Sequence, residues 1–443
     1  MEKVVTDLIH SGTSTINKSV KDHASKIATY RILDNKRVDY KTVLSGSFRR
    51  CAESIDVGHV LCIQDTTEFN FNHIAKKIGK LDPDIGPTSK KEIAGLFCHP
   101  VLVCDPTGQT IYGLSSASVY NRSWNQKDKY ERNFKTLPNV KKESYRWIEN
   151  AHNTRALIGK EVDLTIIGDR ESDIYDEFVE VANSNTHLLV RSNVNRNLKN
   201  DSGKLHSELE KQPLAGRVKV ELAANKSRDK RTANIEVRFC EVQIKPPSNY
   251  KGTSKGITVH TVEAKEVTPN LPASQKPIIW RLLTTHKVEN FEQAIQCIEW
   301  YKQRWLIEEL FRVIRTKGFQ IESSQLGNGA AIKKLIAFTL EAALQVMRLK
   351  LALDNEQKVN AGLIFNEKQL QLLKLLLRKV EGNWAKQKNP FPNNTTAWAG
   401  WVIARLGNWT GYKSHGPPGY ITIKNGYDTF HAQYEIFEML YDG

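Results

Sequence analysis

His59-Val60-Leu61-Cys62-Ile63-Gln64-Asp65-Thr66-Thr67-Glu68-Phe69 reads as one buried strand that ends at a carboxylate. Two more strand-like runs follow, Leu96 to Asp105 and Gln109 to Tyr120. Pro106-Thr107-Gly108 lies between them as a turn, which predicts an antiparallel hairpin. A helix is expected near 143–158. Val162-Asp163-Leu164-Thr165-Ile166-Ile167-Gly168-Asp169 is then a second apolar strand that closes on an Asp. A helix near 173–183 and the strand His187-Leu188-Leu189-Val190-Arg191 complete a β-α-β passage, so the fold class is α/β.

A third carboxylate lies in a helical stretch, Tyr301-Lys302-Gln303-Arg304-Trp305-Leu306-Ile307-Glu308-Glu309-Leu310-Phe311-Arg312-Val313-Ile314-Arg315. At roughly 100° per residue, Tyr301, Arg304, Glu308, Arg312 and Arg315 share one side, and Leu306, Ile307, Leu310, Val313 and Ile314 share the other. One face suits a core. The opposite face shows an aromatic ring, a carboxylate and several guanidiniums, which makes sense beside a divalent metal and a phosphate backbone.

The rest of the chain frames these segments. Residues 1–57 read as mostly helical, with Lys26, Arg31, Lys36, Arg37 and Lys41 as candidate contacts to a duplex. Residues 196–276 change character: Val218-Lys219-Val220-Glu221-Leu222 and Ile235-Glu236-Val237-Arg238-Phe239 alternate with the period of half-buried strands and read as an antiparallel insertion. Pro277 to Thr285 is one more strand-like run. Helices dominate from about 330 to 380, and the tail from Asn389 carries Trp398, Trp401, Trp409, Pro417 and Pro418. The expected domains are 1–57, 58–345 with its insertion at 196–276, and 346–443.

Lys plus Arg number 64 against 49 Asp plus Glu in 443 residues, a formal charge of +15. Such an excess favours a polyanionic partner, nucleic acid first among them. Cys51, Cys62, Cys98, Cys104, Cys240 and Cys297 form no CxxC pair and read as reduced residues, not as a zinc site or disulfide framework. No stretch reaches the roughly 18 apolar residues of a membrane span, and the N-terminus is no signal peptide. The expected location is the cytoplasm, with no membrane partner.

Asp65 and Asp169 each end a hydrophobic strand, and Glu308 lies on a later helix. Singly, a strand-terminal Asp is more often a turn former or helix cap, and Glu308 could simply pair with Arg304 or Arg312. Together they form a set of catalytic and metal-ligating candidates. Three converging carboxylates repel one another unless cations neutralise them. Two Mg²⁺ ions about 4 Å apart would do so and would also drive phosphodiester chemistry.

On these residues the chain resembles the bacterial insertion-sequence DDE transposases, in the branch marked by a Tyr-(2)-Arg-(3)-Glu-(6)-Lys signature. Tyr301, Arg304 and Glu308 fit the first three positions, and Arg315 takes the place of the Lys, with Lys317 two residues on. Ile63-Gln64-Asp65-Thr66-Thr67 and Gly168-Asp169-Arg170-Glu171-Ser172-Asp173-Ile174 are similar to the family's acidic motifs. Leu189-Val190-Arg191-Ser192 and Ile279-Trp280-Arg281-Leu282-Leu283-Thr284 are similar to strands that carry a DNA-contacting Arg and a Trp near a flipped base.

The resemblance implies an RNase H-like catalytic core interrupted by a β insertion, an N-terminal module for transposon ends, and a C-terminal helical region for dimerisation. Residues 1–57 are short for the whole end-binding module. It also implies strand cleavage and transfer on double-stranded DNA through a hairpin intermediate, Mg²⁺ with Mn²⁺ able to substitute, and a homodimer in a synaptic complex. Arg191, Trp280, Tyr301, Arg304, Arg315 and Lys317 would contact DNA. A structure-selective nuclease on the same fold, and a non-catalytic DNA-binding derivative, are the competing readings.

Overall fold

The computed structural model describes all residues except 1, 12, 21, 80–81, 126–136, 200–202, 223–229, 270, 272–275, 317, 357–358 and 442–443. Among the described residues eleven strands join in one sheet. They are β1 (His59–Gln64), β2 (Thr67–Asn70), β3 (Gly86–Pro87), β4 (Ala94–Cys104), β5 (Ile111–Tyr120), β6 (Asp163–Gly168), β7 (Thr186–Arg191), β8 (Gly216–Leu222), β9 (Arg231–Ile244), β10 (Ile257–Glu266) and β11 (Ile279–Thr284).

β4 and β5 form the expected hairpin. Its turn closes where the Gly108 N–H donates to the Asp105 carbonyl at 2.9 Å, with Gly108 at φ +70°, a conformation that glycine adopts without strain. β4 lies antiparallel to β1, β1 is parallel to β6, and β6 is parallel to β7. The central order is therefore β5-β4-β1-β6-β7. Parallel neighbours need a long crossover, and the helices Tyr145–Ile158 and Tyr175–Glu180 lie in the connections from β5 to β6 and from β6 to β7.

The expected insertion is antiparallel but does not stand apart. β8, β9 and β10 pair in succession, β10 pairs with β11, and β11 pairs antiparallel with β7. They continue the central sheet and cover the β7 edge, which would otherwise offer unpaired N–H and C=O groups.

Strand alternation divides the side chains between two cores. Val60, Cys62, Leu164, Ile166 and Leu188 face one side, with Ile148, Tyr175 and Phe178 of the crossover helices. Leu61, Ile63, Ile167 and Leu189 face the other, with Leu306, Ile307 and Leu310. The second core runs on into the helices. The helix Gly329–Asp354 is buried on nearly every side, and a helix that is apolar all round must be wrapped by others. Val4, Leu8 and Leu44 from the N-terminal helices and Trp398, Ile423 and Phe430 from the C-terminal helices belong to the same apolar cluster. Segments from the two ends of the chain thus share one helical layer. The Gly- and Trp-rich tail contains two helices, Thr396–Leu406 and Tyr420–Tyr441. All six cysteines are free, and among the described residues no helix is long and apolar enough to cross a membrane.

One end of the sheet is tied by imidazoles. The His59 and His286 rings flank the Thr165 hydroxyl at 2.8 and 2.7 Å, and His286 stacks on His187 with centroids 3.9 Å apart. Burial lowers all three pKa values below the usual 6.5. Asp163 pulls His59 and His187 back up, whereas Arg155 adds to the lowering at His187; His286 is pushed down to about 3 by burial and its two neighbours. A histidine that titrates lower when folded supports the fold fully above pH 6.5 and loses that support as acid protonates the unfolded form first. Each such group contributes a slope of about 1.4 kcal/mol per pH unit between its two pKa values. Urea midpoints measured from pH 7 to pH 4 should therefore fall less steeply in His286→Gln than in the parent chain; equal slopes would show that His286 is not held neutral.

Candidate active site

The two strand-terminal aspartates are brought together by register. Ile63 of β1 pairs with Ile167 of β6, both pointing into the core that holds the Trp305–Arg315 helix. Asp65 and Asp169 each follow by two residues, so alternation turns both toward that helix from adjacent strands roughly 4.8 Å apart. Gly168 lets the chain turn sharply, since a Cβ there would meet the Ser172 side chain at 2.3 Å. Asp169 caps the short turn Arg170–Ser172 by accepting the Glu171 N–H, and Asp65 accepts the N–H of its neighbour Thr66, each at 2.7 Å. Capping and chemistry do not compete here, because a carboxylate has further lone pairs. Burial and the neighbouring Asp169 charge push the Asp65 carboxyl up to about 7, against the pull of Arg304 and the Thr66 N–H; Glu308 adds to the rise.

The helical stretch departs from its expected form in one respect. Leu306, Ile307, Leu310, Val313 and Ile314 are buried as their spacing implies, but the stretch is two helices, Phe291–Lys302 and Trp305–Arg315, broken at Gln303 and Arg304. Tyr301 falls on the first and is only 4% exposed, so it does not share the open face. Its ring meets Trp280 edge-on at 5.6 Å. Burial holds its hydroxyl pKa above 10 while Arg304 and Arg191 pull it down.

Arg304, at the break, reaches two acids at once. One arm donates to Asp65 Oδ2 at 2.9 Å, and the other donates to the Glu308 carboxylate. The expectation of three converging carboxylates needs correcting on this point. Asp65 and Asp169 adjoin, but a guanidinium separates Asp65 from Glu308, and among the described residues no three His, Cys, Asp or Glu side chains are grouped to hold a metal ion. The physical reason is like-charge repulsion, which the nearest available cation relieves. The donor chemistry still suits a hard cation such as Mg²⁺, because all the donors are oxygens. Asp65, Asp169 and Glu308 would hold such an ion once Arg304 released its partners.

Other expected residues surround this centre. Arg191, at the end of β7, donates to the Ile279 carbonyl at 3.1 Å, and its pKa is lowered by burial and by the nearby Arg170 and Arg304. Several guanidiniums therefore crowd the edge where the aspartates end. Trp280 is half-buried on β11, opposite Ala264. Arg315 turns inward: it donates to the Glu68 carbonyl and lies 5.5 Å over the Phe69 ring. Arg312 pairs with Glu309. Lys317 lies outside the described residues.

A buried polar chain beside Asp65 had no signature in the sequence. Arg146 donates to Thr66 Oγ1 at 3.0 Å, and the Thr66 hydroxyl meets His99 Nδ1 at 2.8 Å. The other imidazole nitrogen meets Gln64 Oε1 at 3.1 Å. Burial holds this imidazole neutral. Arg146 also donates to Glu171 at 2.8 Å, bridging the loops that follow β1 and β6. Arg196 and Asp173 pair at 2.6 Å in the core beneath, and Asp173 accepts the Asn193 and Val194 N–H groups, which ties the loop after β7 to the same place. Arginines on a helix and in a polar loop announce nothing by spacing; only the fold shows what they connect.

No family model matches the chain. Among solved structures it is similar to a piggyBac transposase synaptic complex with hairpin DNA, at 10% identity and a TM-score of 0.36, over 76% of this chain and 56% of that one. The chain thus spans little more than half of that protein's length, and a likeness at this level carries no argument about function.

The strained charge at Asp65 has a consequence for stability. A carboxyl whose pKa rises on folding destabilises the fold when ionised, most at pH above about 7 and not at all below the unfolded value near 3.8. In a metal-free buffer, Asp65→Asn should raise the melting temperature at pH 8, with the gain shrinking to nothing by pH 4. A lower melting temperature at pH 8 would show that the ion pair with Arg304 outweighs the burial cost.

Proposed function

We propose that this chain is a DNA transposase of the DDE type, acting on double-stranded DNA in the bacterial cytoplasm. The observation that carries the reading is the pair Asp65 and Asp169 at the ends of adjacent parallel strands, facing a helix that bears Glu308 and ringed by Arg191, Arg170 and Arg304. Three antiparallel strands followed by two parallel ones, in the order β5-β4-β1-β6-β7, are in keeping with an RNase H-like core. We take residues 58–345 as the catalytic unit, with its β insertion at 196–276.

The proposed reaction begins with hydrolysis at the element's end, which frees a 3′-OH. That hydroxyl attacks the opposite strand to give a hairpin; a second water opens the hairpin, and the 3′-OH is then joined to target DNA. When bound, two Mg²⁺ ions, or Mn²⁺ in their place, supply Lewis-acid stabilisation of the phosphoryl oxygens and a more acidic water. The chain's own groups position the DNA. Asp65, Asp169 and Glu308 would provide the ligating oxygens. Arg191 and Arg304 offer guanidinium forks to phosphate. Trp280, half-buried at the same edge, offers a ring on which an unstacked base can rest.

In the helices His23–Asp34 and Tyr40–Glu53 and the turn between them, Arg31, Lys36, Arg37 and Lys41 are exposed and Lys26 is half-exposed, which suits the end-binding role proposed for residues 1–57. Ile436, Met439 and Leu440 stand exposed on the last helix, which suits a homodimer formed through residues 346–443.

The substrate for a test is the DNA flanking the gene, searched for short inverted repeats. With Mg²⁺ or Mn²⁺, Asp65→Ala, Asp169→Ala and Glu308→Ala should each reduce end cleavage by at least about a hundredfold while end binding persists. Full cleavage by any of them rejects that residue's assignment. Cutting by the parent chain without preference for an end favours a structure-selective nuclease, and binding without cleavage under any metal favours a non-catalytic derivative. Trp280→Ala should slow hairpin formation more than the first nick; equal losses at both steps count against base stacking there.

A further inference from the structure

We infer that Arg304 is an exchangeable internal counter-ion that couples metal binding to DNA binding, an inference resting on the reading of Asp65, Asp169 and Glu308 as metal ligands. Its two arms bind Asp65 Oδ2 at 2.9 Å and the Glu308 carboxylate, the same oxygens a divalent cation needs. A cation and the guanidinium therefore compete. Arg304 remains charged at any working pH, so the competition is settled by exchange of partners and not by proton loss.

The local charges decide where the displaced fork can go. Arg191 lies close by and would repel it. Asp169 belongs to the same acid pair, and would be engaged by the incoming metal. Glu308 is 56% exposed, so water can solvate it as it shifts between partners. Arg304 itself is 21% exposed and sits at the break between two helices, where the side chain can turn outward without unwinding either. A DNA phosphate at this mouth is the partner that completes the exchange, because it takes a guanidinium through two parallel hydrogen bonds. DNA draws the fork outward and exposes the acids, and metal at the acids frees the fork for DNA. Reciprocity requires each ligand to tighten the other by the same factor. In the DNA-free chain the guanidinium keeps the acids closed to metal.

The test is Mn²⁺ affinity, read by electron paramagnetic resonance of the free ion, with and without a short duplex that lacks the element's ends, at low salt. In the parent chain the duplex should tighten Mn²⁺ by about tenfold, within the usual range of coupling between sites. In Arg304→Ala the DNA-free affinity should already be raised by about fivefold or more, and the gain from DNA should fall to about twofold or less. Arg304→Gln, closer in shape, should behave alike. Mn²⁺ binding by both variants that matches the parent chain with and without DNA overturns the inference. Asp65→Asn separates the two layers of the argument. If it abolishes Mn²⁺ binding while the Arg304 variants change nothing, only the counter-ion inference fails. If it leaves Mn²⁺ binding intact, the metal-site reading fails with it.

Discussion

Carboxylates held side by side by a parallel strand pair are the constraint on which the site depends. The β1–β6 register places Asp65 and Asp169 at one level on one face, and burial leaves the Asp65 charge poorly solvated. Folding can create such a pair only if positive charge is close at hand or one acid keeps its proton. Arg304 meets that need by ion pairing, and Arg170 and Arg191 add a field of the same sign nearby. The resulting centre sets two acids, Asp65 and Glu308, on one shared guanidinium.

The surrounding structure supplies rigidity to hold that charge. The sheet passes without interruption from the central strands into β11, β10, β9 and β8, so Arg191 and Trp280 sit on a continuous hydrogen-bonded frame. Beneath the acids, the chain Arg146–Thr66–His99–Gln64 locks both neighbours of Asp65, and Asp173 with Arg196 anchors the loops on the other side. On one face of the sheet, the helix Gly329–Asp354 is gripped by helices from both termini. The apolar face of the Trp305–Arg315 helix belongs to that same core, so the position of Glu308 is set by packing that spans the chain.

Much of this was legible in the residues. Runs such as Val60–Ile63 and Leu164–Ile167 read as buried strands that each close on an acid; that the two acids share a face came from the β1–β6 register, which the residues alone did not give. The apolar spacing of Leu306, Ile307, Leu310, Val313 and Ile314 identified the buried side of their helix. What was not legible depended on atoms distant in sequence. The break at Gln303–Arg304 moved Tyr301 into the core, which no helical wheel could foresee. Arg315 turned inward because β2 offered it a carbonyl and an aromatic ring. The insertion merged with the main sheet because β11 returns to the free edge of β7. The Arg146 network was invisible because its members come from one helix, two strands and the link between β1 and β2, with no shared spacing. Most consequentially, the pairing of Arg304 with Glu308 was open to a reading of the helix, but the reach of the same guanidinium to Asp65 was not.

The most direct measurement of the central claim is a structure of the chain bound to its DNA with Mn²⁺, the ions located by anomalous scattering. The account requires anomalous density bridging the Asp65 and Asp169 oxygens, the Glu308 carboxylate drawn in toward it, and the Arg304 guanidinium on a phosphate. Anomalous density absent from these aspartates, with Arg304 still joining Asp65 to Glu308 while DNA is bound, would contradict it.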